Sequence, residues 1–154
     1  TLALAGSGPE EERLKQMAEE LHISDKVEFL GYLQLEELRE QYQKSGIFVL
    51  PTREDCFALV ILEAMCAGLP VVCSQYADGS IDLIEEGVNG YITDPYDTVQ
   101  FHNYLKKLLE NPARAEEMGR ASFQHLERFR FKEVSKGFME AVRLAEDSQT
   151  EKKG

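Results

Sequence analysis

The chain has 154 residues, of which 43% are hydrophobic and 29% charged, and its formal net charge is −11. This length is enough for one hydrophobic core without disulfide or metal support, and no apolar run is long enough to span a membrane. The negative charge argues against a nucleic-acid groove and against contact of this part of the protein with an anionic membrane surface.

Strands and helices alternate along the sequence. Short apolar runs that end at Gly or Pro predict strands, and apolar residues at helical spacing predict helices. The predicted strands are 2–5, 27–31, 47–50, 71–74 and 91–93. The predicted helices are 9–21, 35–44, 58–67, 81–85, 97–110, 113–128 and 129–146. This order predicts an α/β domain over residues 1–146 with a mostly parallel sheet between helices. The polar residues 147–154 predict a disordered tail.

Two carboxylates are the main candidates for a functional site in this sequence. Asp55 and Glu63 are separated by seven residues, and they lie between a predicted strand and the start of an apolar helix. In open α/β sheets such a loop lies at the carboxyl end of a strand, where ligands bind beside the free amides of the helix start. Glu63 can reach this crevice because helical side chains lean toward the N-terminus. A buried Glu63 would need a hydrogen-bonding partner, such as a pair of ligand hydroxyls; the alternative is a carboxylate that only caps the loop or faces the helix dipole.

Two further segments bear on function. Gly6-Ser7-Gly8 joins a strand to a helix, as a loop near a phosphate would, although a Gly-x-Gly turn is also a common tight connection. Leu30 and Gly31 end the next strand, and the following Tyr32 is either a surface for a flat ligand or a packing residue.

The cysteines and histidines indicate no metal site. Cys56, Cys66 and Cys73 are odd in number and lie in or beside predicted buried elements, which favours a reduced, cytoplasmic protein over a disulfide framework. Cys56 is either a small residue in a tight loop or a thiol activated by the helix start. The three histidines lie in helical stretches without a second ligand at metal-binding spacing.

Several motifs occur in the order typical of one enzyme family. Asp55 and Glu63 are followed by Ala-Met, a small residue, Gly, an apolar residue, Pro-Val-Val and Ser74. The other matching motifs are Gly6-Ser7-Gly8-Pro9, Val27-Glu28-Phe29-Leu30-Gly31 and Glu86-Gly87-Val88-Asn89-Gly90-Tyr91. From about Leu2 to Leu144 the chain resembles the C-terminal, donor-binding domain of retaining GT-B glycosyltransferases, the group 1 or family 4 enzymes that include sucrose-phosphate synthases.

The resemblance implies a Rossmann-like three-layer sandwich, one half of a GT-B two-domain fold. It also implies transfer of a hexose from a UDP- or GDP-sugar to an acceptor hydroxyl, with retention of configuration and with no metal or other cofactor. Such enzymes serve polysaccharide biosynthesis in the cytoplasm, in some cases at the inner face of the membrane. In the catalytic site Asp55 would hold sugar hydroxyls and Glu63 the ribose diol. The other donor-binding candidates are Gly6, Gly8, Leu30, Gly31, Cys56, Phe57, Ala58, Leu59 and Val60.

The acid-bearing loop departs from the family pattern. Asp55-Cys56-Phe57-Ala58 stands where the family has Glu-Gly-Phe-Gly, so the acid is shorter and both glycines are replaced. The loop must then adopt its conformation without the freedom of glycine. Two alternatives remain open at this point: a noncatalytic nucleotide- or partner-binding relative with a decayed donor site, and a nucleotide-sugar epimerase of the same architecture.

By the same resemblance, the chain begins at the second strand of the donor domain. The first strand, with an Arg and a Lys for the diphosphate, and the N-terminal acceptor domain are then expected to lie outside it. Alone, the chain is expected to transfer no sugar, because no acceptor is held against the donor. It is also expected to bind nucleotide weakly and to self-associate through an exposed sheet edge.

Overall fold

A computed structural model describes the backbone of residues 1–151 and the side chains of residues 1–145. The strands are β1 (Leu2–Ala5), β2 (Val27–Gly31), β3 (Phe48–Leu50), β4 (Val71–Ser74) and β5 (Gly90–Thr93). The α-helices are α1 (Glu11–Glu20), α2 (Leu35–Lys44), α3 (Leu59–Cys66), α4 (Ser80–Leu83), α5 (Thr98–Leu109), α6 (Pro112–His125) and α7 (Phe131–Glu151). The predicted order of strands and helices is therefore confirmed.

The chain divides into two compact units, and the second begins at Ser45. In the first unit β1 and β2 form a parallel pair, with Leu2 opposite Val27. In the second unit three parallel strands have the order β3-β4-β5. The sequence predicted one sheet, whereas the described residues form two, because apolar runs identify strands but do not specify which strands pair.

The core of the second unit lies on both faces of β4, whose four residues are all buried. Side chains alternate across a strand. Val71 and Cys73 therefore face one side, where they join a cluster that includes Ile61 and Met65 of α3. Val72 faces the other side; its cluster contains Leu108, Ala115 and Met118 of α5 and α6. The resulting helix–sheet–helix arrangement confirms the expected α/β class.

Side-chain caps begin α5 and α6, the helices on the second face. The Asp97 carboxylate accepts a hydrogen bond from the amide of Gln100 at 2.9 Å, and the Asn111 side chain accepts one from the amide of Arg114 at 3.1 Å. Such caps satisfy amides that have no partner within the helix. Pro112 follows Asn111 at the first helical position, where its lack of an N–H has no cost.

The last helix differs from its predicted length. It runs to Glu151, five residues beyond the predicted end at Glu146, and so includes most of the segment predicted as a tail. The rest of that predicted tail, residues 152–154, lies outside the described residues. Within the described part of the chain, no helix is both long enough and apolar enough to cross a membrane.

Candidate functional site

The acid loop, defined here as residues 51–58, connects the carboxyl end of β3 to the start of α3. Its neighbour is the β4 loop, residues 75–79, which leaves the carboxyl end of the adjacent parallel strand. The two loops are paired, since Asp55 and Ala77 form an isolated parallel bridge. The carboxyl ends of neighbouring parallel strands are where open α/β sheets bind ligands.

The Asp55 side chain is bound to its own loop. Its Oδ1 atom accepts hydrogen bonds from the amide of Phe57 at 3.1 Å and from the amide of Ala58 at 2.5 Å. Both bonds use the same carboxylate oxygen, so Oδ2 is left out of the loop's own hydrogen bonding. Asp55 is half-buried, and it therefore both shapes the loop and presents one oxygen for other contacts.

Ala58, the residue before α3, has a left-handed conformation, with φ 56° and ψ 62°. This conformation costs a residue with a Cβ about 1–2 kcal/mol. The side chain of Ala58 is buried in the core cluster that includes Ile61, so packing offsets part of this cost. Although alanine stands where the family has glycine, the backbone at position 58 still has a conformation that favours glycine.

The amides from Phe57 to Val60 fall into two pairs. Those of Phe57 and Ala58 donate to Asp55. Those of Leu59 and Val60, at the start of α3, have no acceptor in the described part of the chain. Amides at a helix start carry partial positive charge and favour anions. Two of these four amides, those of Leu59 and Val60, are therefore open to an acceptor from outside the described chain.

Glu63 is exposed, whereas the apolar sequence around it suggested a buried position. Helix α3 buries Ile61, Ala64 and Met65. Glu63 lies on the opposite side with Leu59, which is 65% exposed. The sequence could not show this, because the exposed face of α3 is as apolar as the buried one apart from this Glu. The carboxylate is accessible, so a ligand could reach it without the desolvation of a deeply buried acid.

In the first unit the predicted glycine turns lie next to each other. The amide of Gly6 donates to the carbonyl of Gly31 at 2.7 Å. Gly6 and Gly31 have φ values of 123° and 63°, which residues with a Cβ rarely adopt. Gly8 is exposed and Leu30 half-buried. The first unit therefore brings the ends of β1 and β2 together.

Sequence reasoning missed the residues that hold the acid loop from outside. The amide of Asp55 donates to the carbonyl of Tyr76 at 3.0 Å, and the amide of Asp78 donates to the carbonyl of Asp55 at 2.9 Å. Gly79 lies against the carbonyl of Phe57. The available signal was positional: in a parallel sheet, the loops that follow adjacent strands meet at one edge.

The cysteines differ in environment. Cys56 of the acid loop and Cys66 at the end of α3 lie beside and in a helix that buries Ile61, Ala64 and Met65, but both are exposed, whereas Cys73 of β4 is buried. Burial raises the pKa of Cys73 from 9.0 to about 12, with a smaller contribution from the negative charge of Glu86. Among the described residues, no group of three His, Cys, Asp or Glu side chains is placed to hold a metal ion.

An α/β fold with its candidate site at the carboxyl ends of parallel strands defines a class of ligand-binding domains. Within this class, the family described as glycosyl transferases group 1 matches residues 1–125. The chain therefore belongs to the glycosyl transferases group 1 family. The match fits the C-terminal domain of a GT-B glycosyltransferase that the sequence predicted.

Individual proteins agree with this assignment. The chain is 34% identical over 131 residues to the sulfoquinovosyl transferase SQD2 of Arabidopsis thaliana, covering 83% of this chain and 25% of the relative. A sucrose-phosphate synthase from Thermosynechococcus elongatus has a similar structure, with a TM-score of 0.78 and 26% identity over 96% of this chain and 39% of the other. The Anabaena protein HepE in complex with UDP-glucose shares the fold, with a TM-score of 0.77 and 24% identity over 93% of this chain and 40% of the other. The chain thus spans between a quarter and two fifths of these proteins.

Proposed function

We propose that this chain is the donor-binding part of a retaining glycosyltransferase that transfers a hexose from a nucleoside diphosphate sugar to an acceptor hydroxyl. The observation that carries the proposal is the acid loop, in which Asp55 is held by two backbone amides directly before a helix whose first two amides are open. Membership of the family and the fold shared with a UDP-glucose complex support it.

Each group in this loop has a proposed role. Asp55 Oδ2 accepts hydrogen bonds from donor sugar hydroxyls, and Glu63 binds the ribose diol. The amides of Leu59 and Val60 bind the diphosphate, where negative charge develops as the glycosidic bond breaks. Such charge-assisted hydrogen bonds can form locally in a chain whose net charge is −11.

The first unit carries proposed donor-binding residues of its own. The turn at Gly6 and Gly8 lies beside the nucleotide, and the backbone at Leu30 and Gly31 lines the pocket of the base. The hydrogen bond between Gly6 and Gly31 supports this assignment. Both residues lack a side chain, so a ligand could approach the backbone at both strand ends.

Titration of the isotope-labelled chain with UDP and GDP, followed by amide NMR, tests the proposal. The amides of Leu59 and Val60 and those of the loops after Ala5 and Gly31 should shift with one of the two nucleotides. Uridine and guanosine serve as controls, since without phosphates they should leave Leu59 and Val60 unchanged. Binding of neither nucleotide, or shifts confined to other surfaces, would contradict the proposal and favour a decayed donor site.

The activity of the whole protein is part of the same proposal. It requires an acceptor-binding domain, and the 154-residue chain alone should transfer no sugar, because orienting two substrates can account for about 7–11 kcal/mol of a barrier. We place the reaction in the cytoplasm, without a metal cofactor, nucleic-acid contact or membrane contact by this chain. Self-association through the exposed edge of a sheet is a further proposed property.

A panel of UDP- and GDP-hexoses offered to the intact protein tests these finer points. A transferred hexose with an unchanged anomeric configuration is the expected product. Donor epimerised without an acceptor would instead indicate an epimerase. Sugar transfer by the 154-residue chain alone would contradict the need for a second domain, and sedimentation of that chain as a monomer at every concentration would contradict self-association.

A further inference from the structure

Backbone hydrogen bonds fasten the acid loop to the β4 loop. Hydrogen bonds join the amide of Asp55 to the carbonyl of Tyr76 and the amide of Asp78 to the carbonyl of Asp55. Ala77, between these two residues of the β4 loop, is fully buried. The β4 loop therefore offers a fixed surface against which the acid loop can be positioned.

Gly79 makes the closest contact of this surface. A methyl group on Gly79 would lie well within 3.0 Å of the Phe57 carbonyl oxygen, a separation that Cβ atoms essentially never show. The φ of Gly79 is −65° and its ψ −12°, values open to residues with a side chain. Glycine is required here by the close approach of Phe57, and not by the conformation of its own backbone.

The Phe57 carbonyl and the Ala58 amide belong to one peptide group. The oxygen of this group lies against Gly79, and its N–H donates to Asp55 Oδ1 at 2.5 Å. Because a peptide group is planar and rigid, a movement of its oxygen also turns its N–H. Gly79 and Asp55 therefore act on opposite ends of the same rigid unit.

We propose that Gly79 is a positioning residue for Asp55: by leaving room for the Phe57 carbonyl, it keeps the Ala58 amide directed at Asp55 Oδ1. The carboxylate is then held with Oδ2 presented to the donor sugar. This inference rests on the proposed function for the role of Asp55, but its geometric part concerns the unliganded chain. A substitution at Gly79 should therefore disturb Asp55 but not the open amides of α3, because α3 is anchored separately by Ile61 and Met65 in the core.

The test compares Gly79→Ala with Gly46→Ala, in which the added methyl group meets no atom within 4 Å. In Gly79→Ala the Ala58 amide should exchange with solvent at least tenfold faster relative to amides in the middle of α6, and in Gly46→Ala it should not. Affinity for UDP or GDP should stay within about threefold, whereas any gain in affinity from the attached hexose should be lost. An unchanged Ala58 exchange rate in Gly79→Ala would overturn the inference.

A double variant covers a failure of Gly79→Ala to fold. Ala58→Gly gives the peptide group freedom to turn away from the new methyl group, so Gly79→Ala/Ala58→Gly should fold and still show the fast exchange at residue 58. Slow exchange there would overturn the inference. If the wild-type chain binds no nucleotide, the proposed function fails, and the exchange measurements still decide whether Gly79 positions the Asp55 loop.

Discussion

The amide of Ala58 donates to Oδ1 of Asp55 at 2.5 Å, and this bond closes the acid loop directly before α3. Ala58 has a left-handed backbone conformation at this point, which places its side chain in the core and its amide under the carboxylate. One carboxylate oxygen is thus committed to the protein and the other is available to a ligand. The predictions for Asp55 and Ala58 follow from this division.

Asp55→Asn and Asp55→Ala should have different effects. The Asn side chain keeps an oxygen that can accept from Phe57 and Ala58, so the free energy of unfolding should change little. Asp55→Ala removes this cap and should cost about 1–2 kcal/mol. Denaturant unfolding of the 154-residue chain measures both, and equal losses would contradict the capping role.

Sugar handling by Asp55→Asn is a separate prediction. UDP or GDP binding should stay within about threefold, or about 0.7 kcal/mol, because Asp55 is assigned to the sugar. Turnover of the intact enzyme should fall tenfold or more, because a neutral amide replaces the carboxylate oxygen at the sugar. Isothermal titration and a donor-consumption assay measure the two effects, and equal losses in both would place Asp55 at the nucleotide instead.

Glu63→Ala should weaken nucleotide binding without weakening the fold. A hydrogen bond from a ligand hydroxyl to a carboxylate is worth about 1.5–3 kcal/mol, whereas exposed substitutions change stability by about 0.5 kcal/mol or less. Glu140→Ala on α7 is a matched control, because Glu140 is also exposed and helical. Titration calorimetry and the melting temperature without ligand separate the effects, and a large drop in melting temperature for Glu63→Ala would show a structural carboxylate.

Ala58→Gly should lower the free energy of unfolding less than Ala64→Gly does, by a difference of at least about 1 kcal/mol. Both side chains are buried at or in α3, so both variants lose a similar methyl contact and gain a flexible glycine. Only at position 58 does glycine relieve a left-handed conformation, worth about 1–2 kcal/mol. Chemical unfolding of the two variants measures the difference, and equal destabilisation would show that Ala58 is unstrained.

Stability should fall with rising pH above about 9 because of Cys73. Burial raises its pKa from 9.0 to about 12, so between these values the folded protein keeps a proton that the unfolded chain has lost. Each such proton lowers the free energy of unfolding by about 1.4 kcal/mol per pH unit. The raised pKa of Tyr104, caused first by burial and then by Glu86, acts in the same direction. Between pH 8 and 10.5 the free energy of unfolding should therefore fall more steeply with pH in the wild type than in Cys73→Ala. Equal slopes in the two proteins would contradict the assignment of this effect to the buried thiol.

Much of the fold could be predicted from the sequence because local patterns determine local structure. The bounds of β1, β2, β4 and α2 agree with the prediction residue for residue. The acid loop could also be placed to within one residue, since the predicted strand 47–50 and the predicted helix 58–67 leave a loop between them that contains Asp55. Family membership followed from the order of motifs, which is a property of the sequence alone.

Only the tertiary structure decided which faces are buried and which backbone groups meet. Glu63, Cys56 and Cys66 proved to be exposed, because exposure depends on the elements that pack around a residue and not on its sequence neighbours. The contact of Gly79 with Phe57 joins residues more than twenty positions apart, and no local pattern encodes it. The sequence determined the elements and the carboxylates of the site, while the packing of two neighbouring loops decided how one of those carboxylates is held.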